Sequence, residues 1–123
     1  MGMTIAEKVM ARASGKEVVH PGQYVDARID RVIADEEFYR IHAAAEAAGI
    51  AGGLPDIWDR DRFHLILEHF QPALNVTQAL RQQKMREVAK RYGLTHFRDA
   101  VCGVIHRIAI EDYLRYKQPI LTP

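Results

Sequence analysis

One short run limits this chain more than any other feature. Phe63-His64-Leu65-Ile66-Leu67-Glu68-His69-Phe70 is largely apolar and is closed by Pro72. A strand buried on both faces of a parallel sheet reads as such a run, without the alternation of a half-exposed strand. The run therefore predicts a central strand that needs helices on both sides.

The flanking sequence supplies them. Thr4 followed by Glu7 predicts a capping box, Ile5, Val9 and Met10 an apolar stripe, and Gly15 a helix stop. Pro21-Gly22 predicts a turn. Alternation of Val25, Ala27 and Ile29 with Asp26, Arg28 and Asp30 predicts a strand over residues 24–33. Asp35 is expected to cap a second helix, with Glu36 and Glu37 in its first turn. Phe38, Ile41, Ala45 and Ala48 form its inner face, and Gly49 is its end. The glycine-rich stretch 49–55 lacks the Gly-Lys-Ser/Thr ending of a phosphate loop and reads as a connection. Asn75 with Gln78 opens a third helix, whose apolar face is Met85, Val88, Ala89 and Tyr92 and whose stop is Gly93. A weaker strand over 96–101, a helix over most of 103–113 and an extended tail framed by Pro119 and Pro123 complete the order. Helices alternating with strands predict an α/β fold: a three-layer, parallel-rich sheet with flanking helices, in a single segment 1–123.

Composition narrows the function. The 123 residues are 48% apolar and 27% charged, with a net charge of +1. That balance gives no electrostatic case for nucleic acid or an anionic membrane surface. The basic residues between Arg81 and Arg91 are interrupted by Glu87 and read as a solvated helix face. Cys102 is the only cysteine, which excludes a disulfide within the chain and any iron–sulfur or zinc site built from its cysteines alone. The first eight residues lack the apolar core of a signal peptide, and no run approaches the ~20 apolar residues of a membrane span. A soluble cytoplasmic protein is expected.

Chemistry is expected at Glu68-His69, because ligands of open α/β sheets bind beyond the carboxyl ends of strands. A carboxylate beside an imidazole fixes its tautomer and favours the protonated ring, a usable proton donor. The competing reading is a strand that simply emerges into solvent. A zinc reading of His64, Glu68 and His69 is weak, since on a strand His69 points away from the other two. His106, in Cys102-Gly103-Val104-Ile105-His106, reads either as a second functional imidazole or as a half-buried core histidine. Cys102 reads as a small buried hydrophobe. His20, His42 and His96 read as structural or surface residues.

These residues also carry a family likeness. The opening MTIAEKVMARASGKEVVHPGQYVDARID resembles that of 3-isopropylmalate dehydratase large subunits and homoaconitases. The likeness resumes at Ile57-Trp58-Asp59. It continues through Leu67-Glu68-His69-Phe70-Gln71-Pro72-Ala73, similar to the family's Asp-His-x-x-Pro segment, and into Gly103-Val104-Ile105-His106. The resemblance implies the first part of an aconitase-type catalytic core. It also implies dehydration and rehydration of a 2-hydroxy di- or tricarboxylic acid in amino-acid biosynthesis, with a [4Fe–4S] cluster as Lewis acid in the complete enzyme. Carried over, His69 is the acid, Glu68 its orienting carboxylate and His106 the supporting imidazole. No cofactor is implied for this chain, since Cys102 matches no cluster ligand. The cluster cysteines are implied for a remaining large-subunit segment, and the base for a swivelling small subunit or domain. Alone, the chain is expected to be an incomplete enzyme. A shortened, non-catalytic homologue that binds another subunit is the alternative. Three departures leave the substrate open: Glu68 stands for the family Asp, Arg107 for the Gln after the motif His, and Asp35-Glu36-Glu37-Phe38 for a loop that helps shape the substrate site.

Overall fold

In the computed structural model, residues 2–117 are described. The expected tail around Pro119 and Pro123 lies outside them. Two compact units are present, Met1–Asp30 and Arg31–Pro123.

The first unit holds helix α1, Ile5–Ser14. The capping box forms as its sequence predicts: Glu7 N–H donates to Thr4 Oγ1, and Thr4 N–H donates to Glu7 Oε2 at 2.6 Å. Gly15 ends the helix in the left-handed region, where its N–H reaches back to Ala11 and Arg12 carbonyls. The expected stripe is not an inner face. Ile5 and Val9 are exposed, and Ala11 is the buried residue of the helix. A turn follows at residues 20–23, closed by Gln23 N–H on the His20 carbonyl. No strand forms over residues 24–31. Their alternation is real, but Tyr24 and Ile29 are exposed, and among the described residues no neighbouring strand pairs with them. A period of two makes a strand only where a ladder satisfies its backbone.

The second unit is built on a parallel sheet in the order β1-β2-β3, formed by Val32–Ala34, Phe63–Ile66 and His96–Arg98. Phe63 pairs with Val32, and His64 with His96. Helix α2, Phe38–Ala47, links β1 to β2, and α3, Val76–Tyr92, links β2 to β3. Helix α4, Ile105–Lys117, follows β3. The central strand is buried throughout, as its composition requires. Its alternating residues serve two cores. Phe63, Leu65 and Leu67 join Phe38 of α2 and Met85, Val88, Ala89 and Tyr92 of α3. Ile66 joins Ile105, Ile108 and Ala109 of α4. Helices thus cover both sheet faces, the three-layer α/β arrangement. Each fully buried Leu or Ile contributes roughly 1.5–3 kcal/mol.

Local signals place α3 well. Asn75 Oδ1 accepts from Gln78 N–H at 2.9 Å, and Gly93 closes the helix in the left-handed region. The reciprocal bond from Gln78 falls one residue early, on Leu74 N–H. Helix α2 departs from expectation at its start. Asp35 Oδ1 accepts Glu37 N–H in a short turn, and the helix begins only at Phe38. Its inner face is Phe38, His42 and Ala45, while Ile41 is exposed.

His42 is therefore a core residue, with Nε2 3.3 Å from the Tyr92 hydroxyl and Nδ1 3.7 Å from Glu46 Oε1. Burial holds its imidazole below the ordinary 6.5; Glu46 opposes that shift, and Lys84 and Arg91 add to it. The unfolded chain thus takes up a proton near the ordinary value that the folded chain refuses. Stability falls as pH drops from there through the lowered folded value, by at most about 1.4 kcal/mol per pH unit. Urea denaturation at about pH 7 and pH 5.5 checks this. His42→Gln is expected to flatten the decline, and an unchanged slope in that variant would exclude His42 as its source.

Candidate functional site

The carboxyl ends of the strands converge on three loops. Beyond β1 come Asp35 and Glu36, beyond β2 come Glu68 and His69, and beyond β3 comes the 99–104 segment. The central strand stops at Ile66, so Glu68 and His69 sit on the loop after it, not on the strand itself.

Glu68 and His69 are brought together. His69 Nδ1 lies 3.0 Å from Glu68 Oε1 and 3.5 Å from Asp35 Oδ2. Asp35 joins the site from β1, a role its sequence position hid behind helix capping. The His69 side chain is 46% exposed, whereas Glu68 is 15% and Asp35 28% exposed. Two carboxylates beside one ring nitrogen favour the tautomer that carries its hydrogen on Nδ1. Among the described residues, Nε2 has no hydrogen-bond or ion-pair partner.

A cavity of about 610 Å³ opens beside Glu68, walled by Gln71 and Pro72 on one side and Val101 and Val104 on the other. Glu68 is the ionisable side chain among its lining residues. The far wall is strained: Val101 has φ 69°, a rare conformation for a β-branched residue. Strain of this kind costs roughly 1–3 kcal/mol and clusters at functional loops.

The other candidates are placed differently. His106 is in the first turn of α4 and exposed, so it is not the half-buried core residue its apolar neighbours suggest. Among the described residues, no hydrogen bond or ion pair joins it to Glu68 or His69. Cys102 is exposed on the loop before α4 and is not a core hydrophobe. Partial desolvation by that loop pushes its thiol up, which disfavours the thiolate needed by a nucleophile or metal ligand. His64 is buried, stacks on His96 at a ring separation of 4.4 Å, and has Nε2 2.9 Å from Arg31 Nη1. Among the described residues, no three His, Cys, Asp or Glu side chains gather to hold a metal ion. No described helix is long and apolar enough to cross a membrane.

No protein-family model matches the chain. Curated proteins do. The 3-isopropylmalate dehydratase large subunit of Thermodesulfovibrio yellowstonii is 35% identical over 123 residues, which is 100% of this chain and 27% of that protein. The large subunit of Aquifex aeolicus is 35% identical over 116 residues, covering 93% of this chain and 26% of its own length. That of Herpetosiphon aurantiacus is 32% identical over 114 residues, again 93% of this chain and 27% of the relative. Along its whole length, the chain is a relative of these large subunits, and it spans little more than a quarter of each.

Proposed function

We infer from this kinship that the chain supplies the proton-handling part of a cytoplasmic hydro-lyase. The reaction is removal and re-addition of water on a 2-hydroxy di- or tricarboxylic acid of the 3-isopropylmalate type. The observation that carries the reading is His69, paired at Nδ1 with Glu68 and Asp35 beyond the central parallel strand and nearly half exposed.

Dehydration breaks a C–H bond and the neighbouring C–O bond. Hydroxide leaves poorly unless it is protonated as it departs. Protonated His69 gives its Nε2 proton to that oxygen, water leaves, and the ring becomes neutral while Nδ1–H stays on the carboxylates. Rehydration runs the same transfer backwards. The family resemblance would give His106 a supporting role as a second imidazole, although among the described residues it makes no hydrogen bond or ion pair to Glu68 or His69. The base that takes the carbon-bound proton belongs to the remaining large-subunit segment or to a swivelling small subunit or domain.

The donor set of this chain does not fit a [4Fe–4S] cluster. Such a cluster takes several thiolates, and the chain offers Cys102 alone, its thiol pushed up. A cluster in the complete enzyme is therefore held by another segment or subunit.

The test is anoxic purification of the protein from its native source, with iron content, partner polypeptides and alkene-acid formation from 3-isopropylmalate measured together. The expected result is a cysteine-rich partner or a longer polypeptide, iron, and dehydratase activity. A homogeneous chain ending at Pro123, with none of the three, would overturn the reading in favour of a non-catalytic homologue.

A further inference from the structure

Glu36 reads in the sequence as an ordinary acidic residue near a helix start. In the structure it is 1% exposed. A buried carboxylate is costly unless its oxygens are hydrogen-bonded. Here both oxygens are used. Glu36 Oε2 accepts Glu68 N–H at 3.2 Å, and Oε1 accepts Phe70 N–H at 2.9 Å. These are the amides immediately before and after His69. From α3, Gln82, also buried, donates Nε2–H to the Phe70 carbonyl at 2.6 Å. The turn that carries His69 is therefore tied to the loop after β1 on one side and to α3 on the other.

Neither tie is a ladder bond of the sheet or a backbone bond of a helix. Helix α2 starts after Glu36, and Gln82 lies inside α3, where an apolar residue would fill the same space. Backbone N–H groups given to a carboxylate form charge-assisted bonds, roughly twice as strong as neutral ones. Such bonds hold a loop more firmly than apolar packing, because they fix direction as well as distance.

The geometry points to Glu36 and Gln82 as positioning residues for His69: together they brace the 68–70 turn so that the imidazole is held against Glu68 and Asp35. The brace stands on its own observations; its catalytic consequence rests on the reading of His69 as proton donor.

Native-state hydrogen exchange by NMR on the isotopically labelled protein tests the brace without reference to activity. In Glu36→Gln, exchange at Glu68 and Phe70 is expected to rise at least about tenfold relative to Leu65 and Ile66. The His69 ring nitrogen shifts should move with it. Gln82→Met, which keeps the volume and removes the donor, should shift the Phe70 carbonyl resonance and the His69 ring together. Equal loss of protection across β2 and residues 68–70 would make Glu36 a general stability residue and overturn the proposal. If Glu36→Gln does not fold, the unsubstituted protein decides. Scalar coupling across the hydrogen bonds, from the Glu68 and Phe70 amide nitrogens to the Glu36 carboxyl carbon, must then be present, and its absence overturns the brace.

In the complete enzyme, Glu36→Gln is expected to lower kcat about tenfold with KM little changed, the effect of a displaced catalytic group. Lost protection with unchanged kcat would overturn the positioning role alone. A silent His69→Ala would instead mark failure of the proton-donor reading, with the exchange result still standing on the brace.

Discussion

His69→Ala is expected to lower turnover of the complete enzyme by roughly a hundredfold or more, the scale of losing a general acid. If His69 is the proposed proton donor, the loss belongs to kcat, because the proton is given only as the C–O bond breaks and contributes little to substrate binding. The folded chain should survive the change, since the side chain is nearly half exposed and its contacts are two partly exposed carboxylates and the Phe70 ring. Removing the ring leaves Asp35 and Glu68, both only partly exposed, close to one another, a cost that partial solvent screening moderates. Steady-state kinetics with 3-isopropylmalate, beside a melting curve, separates the two effects. His106→Ala sets the contrast. Its side chain is exposed, so stability should move by no more than about 0.5 kcal/mol. Its effect on turnover should be smaller than that of His69→Ala. Unchanged turnover in His69→Ala would remove this imidazole from the mechanism.

The residues of this site differ in how far the sequence discloses them. The central strand was legible because burial on both faces leaves a compositional mark, the run from Phe63 to Leu67. The ends of α3 were legible for the same local reason: Asn75 and Gly93 each satisfy backbone groups within a few residues. Glu68 and His69 followed from the strand, since they are the first polar residues after it. Asp35 and Glu36 were hidden. An acid before a helix satisfies the same local rules whether it faces water or turns inward. Only its partners decide, and the Glu36 partners, Glu68 and Phe70, lie 32 and 34 residues away. The strand expected over 24–33 forms only at its end, in β1, for a related reason: alternation is local, whereas a ladder needs a neighbour. His42 is a different case. Its spacing from Phe38 and Ala45 fits one helix face, so periodicity alone would have placed it in the core ahead of Ile41.

That buried histidine also explains the glycine-rich loop, and there the largest effect on stability is expected. Gly53 has φ 87°, a backbone conformation that costs an ordinary residue about 1–2 kcal/mol. A Cβ on Gly53 would also run into the His42 ring at Cε1 and Nδ1. Retreat of the ring is opposed by its buried position and by the contact of its Nε2 with Tyr92, whose hydroxyl donates to the Leu54 carbonyl of the same loop. Overpacking of this kind adds roughly 1–3 kcal/mol, so Gly53→Ala should cost about 2–5 kcal/mol in all. Against a typical total stability of about 5–15 kcal/mol, that is a large share. Gly49 provides the control. It has the same φ of 87°, but a Cβ there meets nothing within 4 Å, so Gly49→Ala carries the conformational cost alone. Urea denaturation of the two variants measures the difference. In the double variant with His42→Ala, the steric part of the Gly53→Ala cost should disappear while the conformational part stays. Equal losses for Gly49→Ala and Gly53→Ala would mean that the His42 ring does not press on this loop. The loop would then be the plain connection that its sequence suggests.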